Sequence, residues 1–192
     1  MYPHVAHVFL DGGYLRALAT ERALPLFHPS DLAKGLLASS PIQTWAYNPM
    51  SQDNAFLGRI TYYDALPDEG ESNPLQGYWD AIELLDDVHL GFGALRGIRK
   101  RVRQKAVDTL IAVDMVGGAY SGIFDIALLV AGDADFVPVI EEVKRRGVMA
   151  AVAASARSIS EYLRRAADRF IEIPDSSDWL RPMNHQGKTW PA

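Results

Sequence analysis

Two carboxylates one residue apart, Asp133 and Asp135, close the segment Leu128-Leu129-Val130-Ala131-Gly132-Asp133-Ala134-Asp135-Phe136. The apolar, branched run before them reads as a buried strand. Pro138, with Val139, Ile140 and Val143 at helical spacing, reads as the helix that follows. A strand that passes into a helix through two aspartates puts negative charge at the carboxyl end of a sheet, where α/β proteins bind ligands. Asp11 repeats the arrangement. Val8-Phe9-Leu10 leads into it, and Gly12-Gly13 follows before another apolar-periodic stretch. Free carboxylates have a pKa of about 4 and are ionised at neutral pH. Two such charges about 4 Å apart repel by roughly 4 kcal/mol at an effective dielectric of about 20. A divalent cation relieves that repulsion, and hard oxygen ligands suit Mg2+ or Mn2+. Such an ion acidifies water and clamps a phosphoryl oxygen, the needs of phosphodiester hydrolysis.

Asp108 and Asp114 extend the acidic set. They lie in Lys105-Ala106-Val107-Asp108-Thr109-Leu110-Ile111-Ala112-Val113-Asp114-Met115, six residues apart on an expected helix. At about 100° per residue they stand roughly 120° apart and do not share a face. Asp108 is favoured for the site, because the helix start is expected beside the strand ends, and Asp114 has the weaker claim. Each aspartate alone has an ordinary explanation, since Asp after a strand often caps the next helix. The joint pattern of Asp11, Asp108, Asp133 and Asp135 raises the metal reading above that one.

The elements that must position these residues follow from periodicity and turn chemistry. Strands are expected over 5–11, 59–65, 88–95, 125–131, 148–153 and 170–173. Helices are expected over 14–20, 29–38, 75–85, 105–116, 136–146 and 158–167. Residues 39–57, rich in Pro, Asn, Ser and Gln, read as a surface connection. Strands alternating with helices predict a three-layer α/β/α sandwich with a central, mainly parallel five- or six-stranded sheet. The division expected is a domain over 1–173 and a polar C-terminal tail over 174–192, the tail disordered or docked on another surface.

Composition bounds the rest. At 192 residues and 48% hydrophobic, one domain can bury a good core. There is no cysteine, hence no disulfide framework and no thiolate zinc site. The start, Met-Tyr-Pro-His, lacks the pattern of a signal peptide, and no apolar run is long enough to span a membrane, so a cytoplasmic location is expected. The net charge of −5 argues against a generally basic coat for nucleic acid. It makes one local exception informative: Arg96, Arg99, Lys100, Arg101, Arg103 and Lys105 fall within ten residues and run into the helix of Asp108. That run could grip phosphates, against the plain alternative of a solvated basic loop. Tyr62, Tyr63, Tyr78 and Trp79 could stack on bases, although packing in the core is the stronger expectation. The five histidines show no metal spacing, and His4 and His7 are expected to be structural. No phosphate-binding glycine loop and no Ser/His/Asp hydrolase motif is present.

Taken together, these residues resemble the NYN domain of the PIN-like ribonuclease superfamily, and especially its LabA-type bacterial branch. The resemblance rests on Phe9-Leu10-Asp11-Gly12-Gly13-Tyr14-Leu15, on Lys105 to Asp114, on Ala131-Gly132-Asp133-Ala134-Asp135-Phe136-Val137-Pro138, and on Leu163-Arg164-Arg165-Ala166-Ala167-Asp168-Arg169-Phe170-Ile171. It covers residues 5 to 173. It implies a metal-dependent endoribonuclease acting on RNA, with the acidic site at Asp11, Asp108, Asp133 and Asp135 and with Asp114 as a further metal ligand of weaker standing. Homodimers are common among such domains. Three positions depart from the family pattern. Tyr14 stands where many relatives carry Asn, and Ala131 and Ala134 stand where Ser is usual. The missing hydroxyls support an alternative, a catalytically weak or inactive module that binds RNA or a protein.

Overall fold

A computed structural model describes residues 4–39, 56–67, 72–93, 100–178 and 180–192, with side chains except at 39 and 100–105. The order of elements is β1 (Val5–Asp11), α1 (Gly12–Glu21), α2 (Pro29–Ser39), β2 (Phe56–Ala65), α3 (Gln76–Glu83), β3 (Val88–Gly93) and α4 (Lys100–Ser121). There follow β4 (Ile126–Val130), a 3-10 turn (Ala134–Phe136), α5 (Val137–Arg145), β5 (Met149–Ala154), α6 (Glu161–Ala166), β6 (Arg169–Glu172) and a small hairpin of β7 (Asn184–His185) and β8 (Lys188–Thr189).

The six long strands form one sheet in the order β3-β2-β1-β4-β5-β6, and every neighbouring pair is parallel. Strands buried on both faces need apolar residues at every position, not alternate ones. β4 (Ile-Ala-Leu-Leu-Val) and β5 (Met-Ala-Ala-Val-Ala-Ala) meet that demand and are buried throughout. Their alternate side chains divide between two cores. Val8, Leu10, Leu128 and Val130 face α1, α2 and α3, while Phe9, Leu129 and Val152 face α4, α5 and α6. The three-layer α/β/α sandwich expected from the sequence is therefore the architecture, with six strands. No helix among the described residues is long and apolar enough to cross a membrane.

Some boundaries differ from the sequence reading for identifiable reasons. α1 starts at Gly12 and not at Tyr14, because the Asp11 side chain caps it by accepting the Tyr14 N–H at 3.2 Å. α4 runs beyond 105–116 at both ends, and its buried stripe of Val107, Ile111, Met115 and Ala119 carries the helical period onward. The tail docks. Leu26 N–H donates to the Trp190 carbonyl at 2.8 Å, Met183 N–H to Leu26 at 2.7 Å, and His28 N–H to Arg181 at 2.8 Å. Met183 is buried, and Trp190 meets the Tyr78 ring edge-on with centroids 5.9 Å apart. The tail thus brings its own apolar anchors to the α2/α3 face. The connection at 40–55 and Trp179 lie outside the described residues.

Candidate active site

The chain lays β1, β2 and β3 outward in one direction, then returns to place β4 on the other side of β1. Connections leaving β1 and β4 go to opposite faces of the sheet, which opens a crevice at their carboxyl ends. Asp11 is the last residue of β1, and Asp133 lies three residues past Val130, the end of β4. Both side chains line one cleft of 320 Å³, together with Tyr14, Ala17, Leu18, Glu21, Gly132 and Ser158.

Asp11 is buried, at 6% exposure. Burial raises its pKa, opposed by hydrogen bonds from the Tyr14 and Gly13 N–H groups and by the charge of Arg16, and reinforced by Asp64. Desolvation disfavours the charged carboxylate and outweighs the N–H groups that stabilise it. Asp133 is exposed and caps the 3-10 turn, one carboxylate oxygen accepting the Asp135 N–H at 3.0 Å. Both residues are therefore helix caps, as the ordinary reading of each has it. Capping occupies backbone donors and leaves the charge at the cleft.

Asp108 and Asp135 meet in a second cleft of 320 Å³, between α4 and α5, lined also by Thr109, Ala112, Phe136 and Val139. The four expected residues therefore fall as two pairs in two clefts and do not form the single cluster expected from the sequence, with the Asp133–Asp135 turn lying between the pairs. Asp114 is engaged elsewhere: its carboxylate accepts the Tyr63 hydroxyl at 2.9 Å. Burial and the adjoining Asp114 charge push the Tyr63 pKa up, which keeps that phenol a donor. Of the basic run, Arg96 and Arg99 and the side chains of Lys100, Arg101, Arg103 and Lys105 lie outside the described residues. Tyr62, Tyr63, Tyr78 and Trp79 are all in the core, at 3% exposure or less. His7 packs on Phe124 with ring centroids 4.9 Å apart, and burial, aided by Arg59, lowers its pKa.

Among the described residues, no group of three or more His, Asp or Glu could hold a metal ion. Mg2+ does not require such a cage. It keeps several waters and takes one or two carboxylates beside substrate phosphates. A buried and an exposed carboxylate from two strand ends, facing one open cleft, fit that sparse mode of binding.

Sequence reasoning misses two residues of this edge, Asp64 and Ser158. Asp64 is the penultimate residue of β2, close to its carboxyl end as Asp11 is to that of β1, at 2% exposure, and Arg16 and the Trp79 indole N–H (3.2 Å) both donate to its carboxylate. The rule that found Asp11, an apolar strand running into Asp, applies equally to Ile60-Thr61-Tyr62-Tyr63-Asp64. Ser158 reaches the cleft from the loop after β5, with nothing in its local sequence to mark it. Tyr14, which departs from the family pattern, is its hydrogen-bond partner at 2.8 Å.

Comparison with known proteins is consistent with this architecture. The family model described as the NYN domain matches residues 8–175. A crystal structure of a protein of unknown function from Vibrio parahaemolyticus shares the fold, with a TM-score of 0.61 at 18% identity, covering 93% of this chain and 96% of that one. Among curated proteins, none matches.

Proposed function

The chain belongs to the NYN domain family of PIN-like nucleases, and on that premise we propose a divalent-metal-dependent endoribonuclease that hydrolyses RNA phosphodiester bonds. The observation that carries the proposal is the pair Asp11 and Asp133, delivered by adjacent strands to one cleft at the switch point of the sheet. Asp11 and Asp133 hold Mg2+ or Mn2+, and Asp135 and Asp108 complete the acidic edge from the neighbouring cleft. The ion, when bound, supplies Lewis acidity at the phosphoryl oxygen and acidifies water. The buried Asp11 fixes one side of the site. Its cap to Tyr14 leaves little rotational freedom, so the carboxylate does not have to be organised during the reaction. Asp133 can bind and release at the solvent side. Cations 96–105 take flanking phosphates, which makes binding fall with salt. A cytoplasmic location and a homodimer accompany this reading as expectations.

The test is direct. Asp11→Asn or Asp133→Asn lowers divalent-dependent cleavage of a labelled RNA by at least about 10²-fold, the scale of removing one preorganised electrostatic group. Circular dichroism should show both variants folded. Unchanged cleavage in both would reject the mechanism. The alternative, a module that binds RNA or protein without cutting, draws on Ala131 and Ala134 beside Asp133 and on the lack of a three-carboxylate group among the described residues. Salt-sensitive RNA binding with no cleavage in Mg2+ or Mn2+ would select it.

A further inference from the structure

The cleft that holds Asp11 and Asp133 is poor in groups that can meet an anion. Among the described residues, its lining carries three carboxylates, counting Glu21, and no Lys, Arg or His. A phosphate entering there needs donors besides a metal. The polar hydrogens of the lining side chains belong to Tyr14 and Ser158, and the two are linked. We propose that Ser158, oriented by Tyr14, donates a hydrogen bond to a non-bridging phosphate oxygen of the RNA in this cleft. The proposal rests on the nuclease reading above.

The direction of the hydrogen bonds carries the argument. The backbone N–H of Ser155, itself buried, lies 2.8 Å from the Tyr14 hydroxyl oxygen, and an N–H can only donate. Tyr14 therefore accepts there. A phenol has one proton. The other partner of the Tyr14 hydroxyl is Ser158 Oγ at 2.8 Å, a contact in which either oxygen can donate; with the acceptor side of Tyr14 already met by the Ser155 N–H, we assign the Tyr14 proton to Ser158. Half-buried Tyr14 holds that proton firmly, since desolvation raises its pKa. Ser158 Oγ then accepts from Tyr14, and its own O–H turns away from the ring. The chain of donors runs from Ser155 N–H through Tyr14 O–H to Ser158 O–H, ending at an exposed residue on the cleft. Each bond polarises the next, which strengthens the last donor.

The two loops are also locked to each other. Ser160 N–H donates to the Gly132 carbonyl at 2.8 Å. A Cβ on Gly132 would lie 2.6 Å from the Ser158 carbonyl oxygen and 2.9 Å from Tyr14 Cε2. The loop that carries Asp133 is thus held against both members of the pair. Ser158 N–H and Ile159 N–H both donate to the Ser155 carbonyl at 3.1 Å, which fixes the loop locally. The hydroxyl is placed relative to Asp133 by backbone contacts, and not by a mobile side chain. Neither Ala131 nor Ala134, on either side of Asp133, offers a hydroxyl of its own.

The experiment measures binding and cleavage separately. Affinity for a fluorescent single-stranded RNA is read by anisotropy in Mg2+ buffer, in the cleavage-deficient Asp133→Asn background. Ser158→Ala should weaken binding about tenfold, the loss of one hydrogen bond to a charged group. Tyr14→Phe should weaken it by a similar factor, and the double variant no further, because both remove one donor chain. Ser158→Thr should restore it. In the otherwise native chain, Ser158→Ala should raise KM more than it lowers kcat. Binding and KM within twofold of the parent for Ser158→Ala, or additive losses for the two single variants, would overturn the assignment. If Asp133→Asn removes cleavage while Ser158→Ala changes nothing, this inference alone fails. If Asp133→Asn leaves cleavage intact, the nuclease reading fails and takes this inference with it.

Discussion

Asp11 and Asp64 lie at the carboxyl-terminal ends of neighbouring parallel strands, one the last and the other the penultimate residue, at 6% and 2% exposure. Asp64 is closed on all sides: Arg16 reaches it from α1, Trp79 donates from α3, and the Ala65 N–H takes its other oxygen at 2.8 Å. Asp11 is met by backbone N–H groups at the start of α1 and opens on a cleft with a second carboxylate. Burial raises the pKa of Asp11 in spite of those donors. A buried charge matched by a guanidinium holds helix to sheet. A buried carboxylate whose pKa is raised at the rim of a crevice, facing a second carboxylate, is the setting in which perturbed groups and function coincide. The same residue type, on adjacent strands, is structural in one place and a candidate for chemistry in the other.

The largest test of that contrast is Asp64→Asn. It keeps the shape and removes the charge that Arg16 was placed to meet. Breaking a buried ion pair from one side costs about 3 kcal/mol or more. For a chain of this size, that lowers Tm by roughly 6–12 °C. Thermal unfolding followed by circular dichroism reads the effect. A fall of less than about 2 °C would mean that Arg16 finds another partner and that Asp64 is not the structural member of the two.

Next in size is Gly132→Ala, which disturbs the site side and leaves Asp64 alone. The added methyl would overlap the Ser158 carbonyl and the Tyr14 ring, at 2.6 and 2.9 Å. Overpacking of this kind costs about 1–3 kcal/mol. The expected outcome is a lower midpoint in urea with an unchanged slope, together with loss of RNA binding comparable to that of Ser158→Ala. Full stability in this variant would show that the loop after β5 moves freely away from Asp133.

These differences also explain what was legible in the sequence. The sheet was readable because β1, β4 and β5 are buried on both faces and so are written as apolar runs that end at Asp11, Gly132 and Ser155. The aspartates at strand ends were visible for the same reason. Their grouping was not. Which helix face Asp108 presents, and that Asp114 is taken by Tyr63, depends on how α4 lies across the sheet, and the spacing of six residues left both orientations open. Asp64 obeys the same local rule as Asp11. Its partners Arg16 and Trp79 lie 48 and 15 residues away, so nothing local distinguishes the two carboxylates. The tail reads as polar, yet Met183 and Trp190, spaced among prolines, carry the contacts that dock it. Isolated anchors of that kind have no period for a sequence reading to detect.

The smallest effect, and the one that separates the two aspartates by sign, is that of Asp11→Asn on stability without metal. A carboxyl whose pKa is raised by folding prefers its proton in the native state, so ionisation weakens the fold. Below the ordinary carboxyl pKa of about 4 the group is protonated folded or unfolded, and it contributes no such penalty. As pH rises through the native value the penalty develops, and it then stays constant. Asn is neutral throughout and caps a helix as well as Asp does. In EDTA, Asp11→Asn should therefore melt above the parent at about pH 7.5 and level with it at about pH 3.5, whereas Asp64→Asn melts below the parent at neutral pH. Mg2+ should narrow the gap by raising the Tm of the parent and not that of Asp11→Asn, since an ion bound only by the native state stabilises it in proportion to RT ln(1 + [L]/Kd). A parent that is equally stable with and without Mg2+, and more stable than Asp11→Asn at neutral pH in EDTA, would place Asp11 beside Asp64 as a second structural carboxylate and remove it from the proposed metal site.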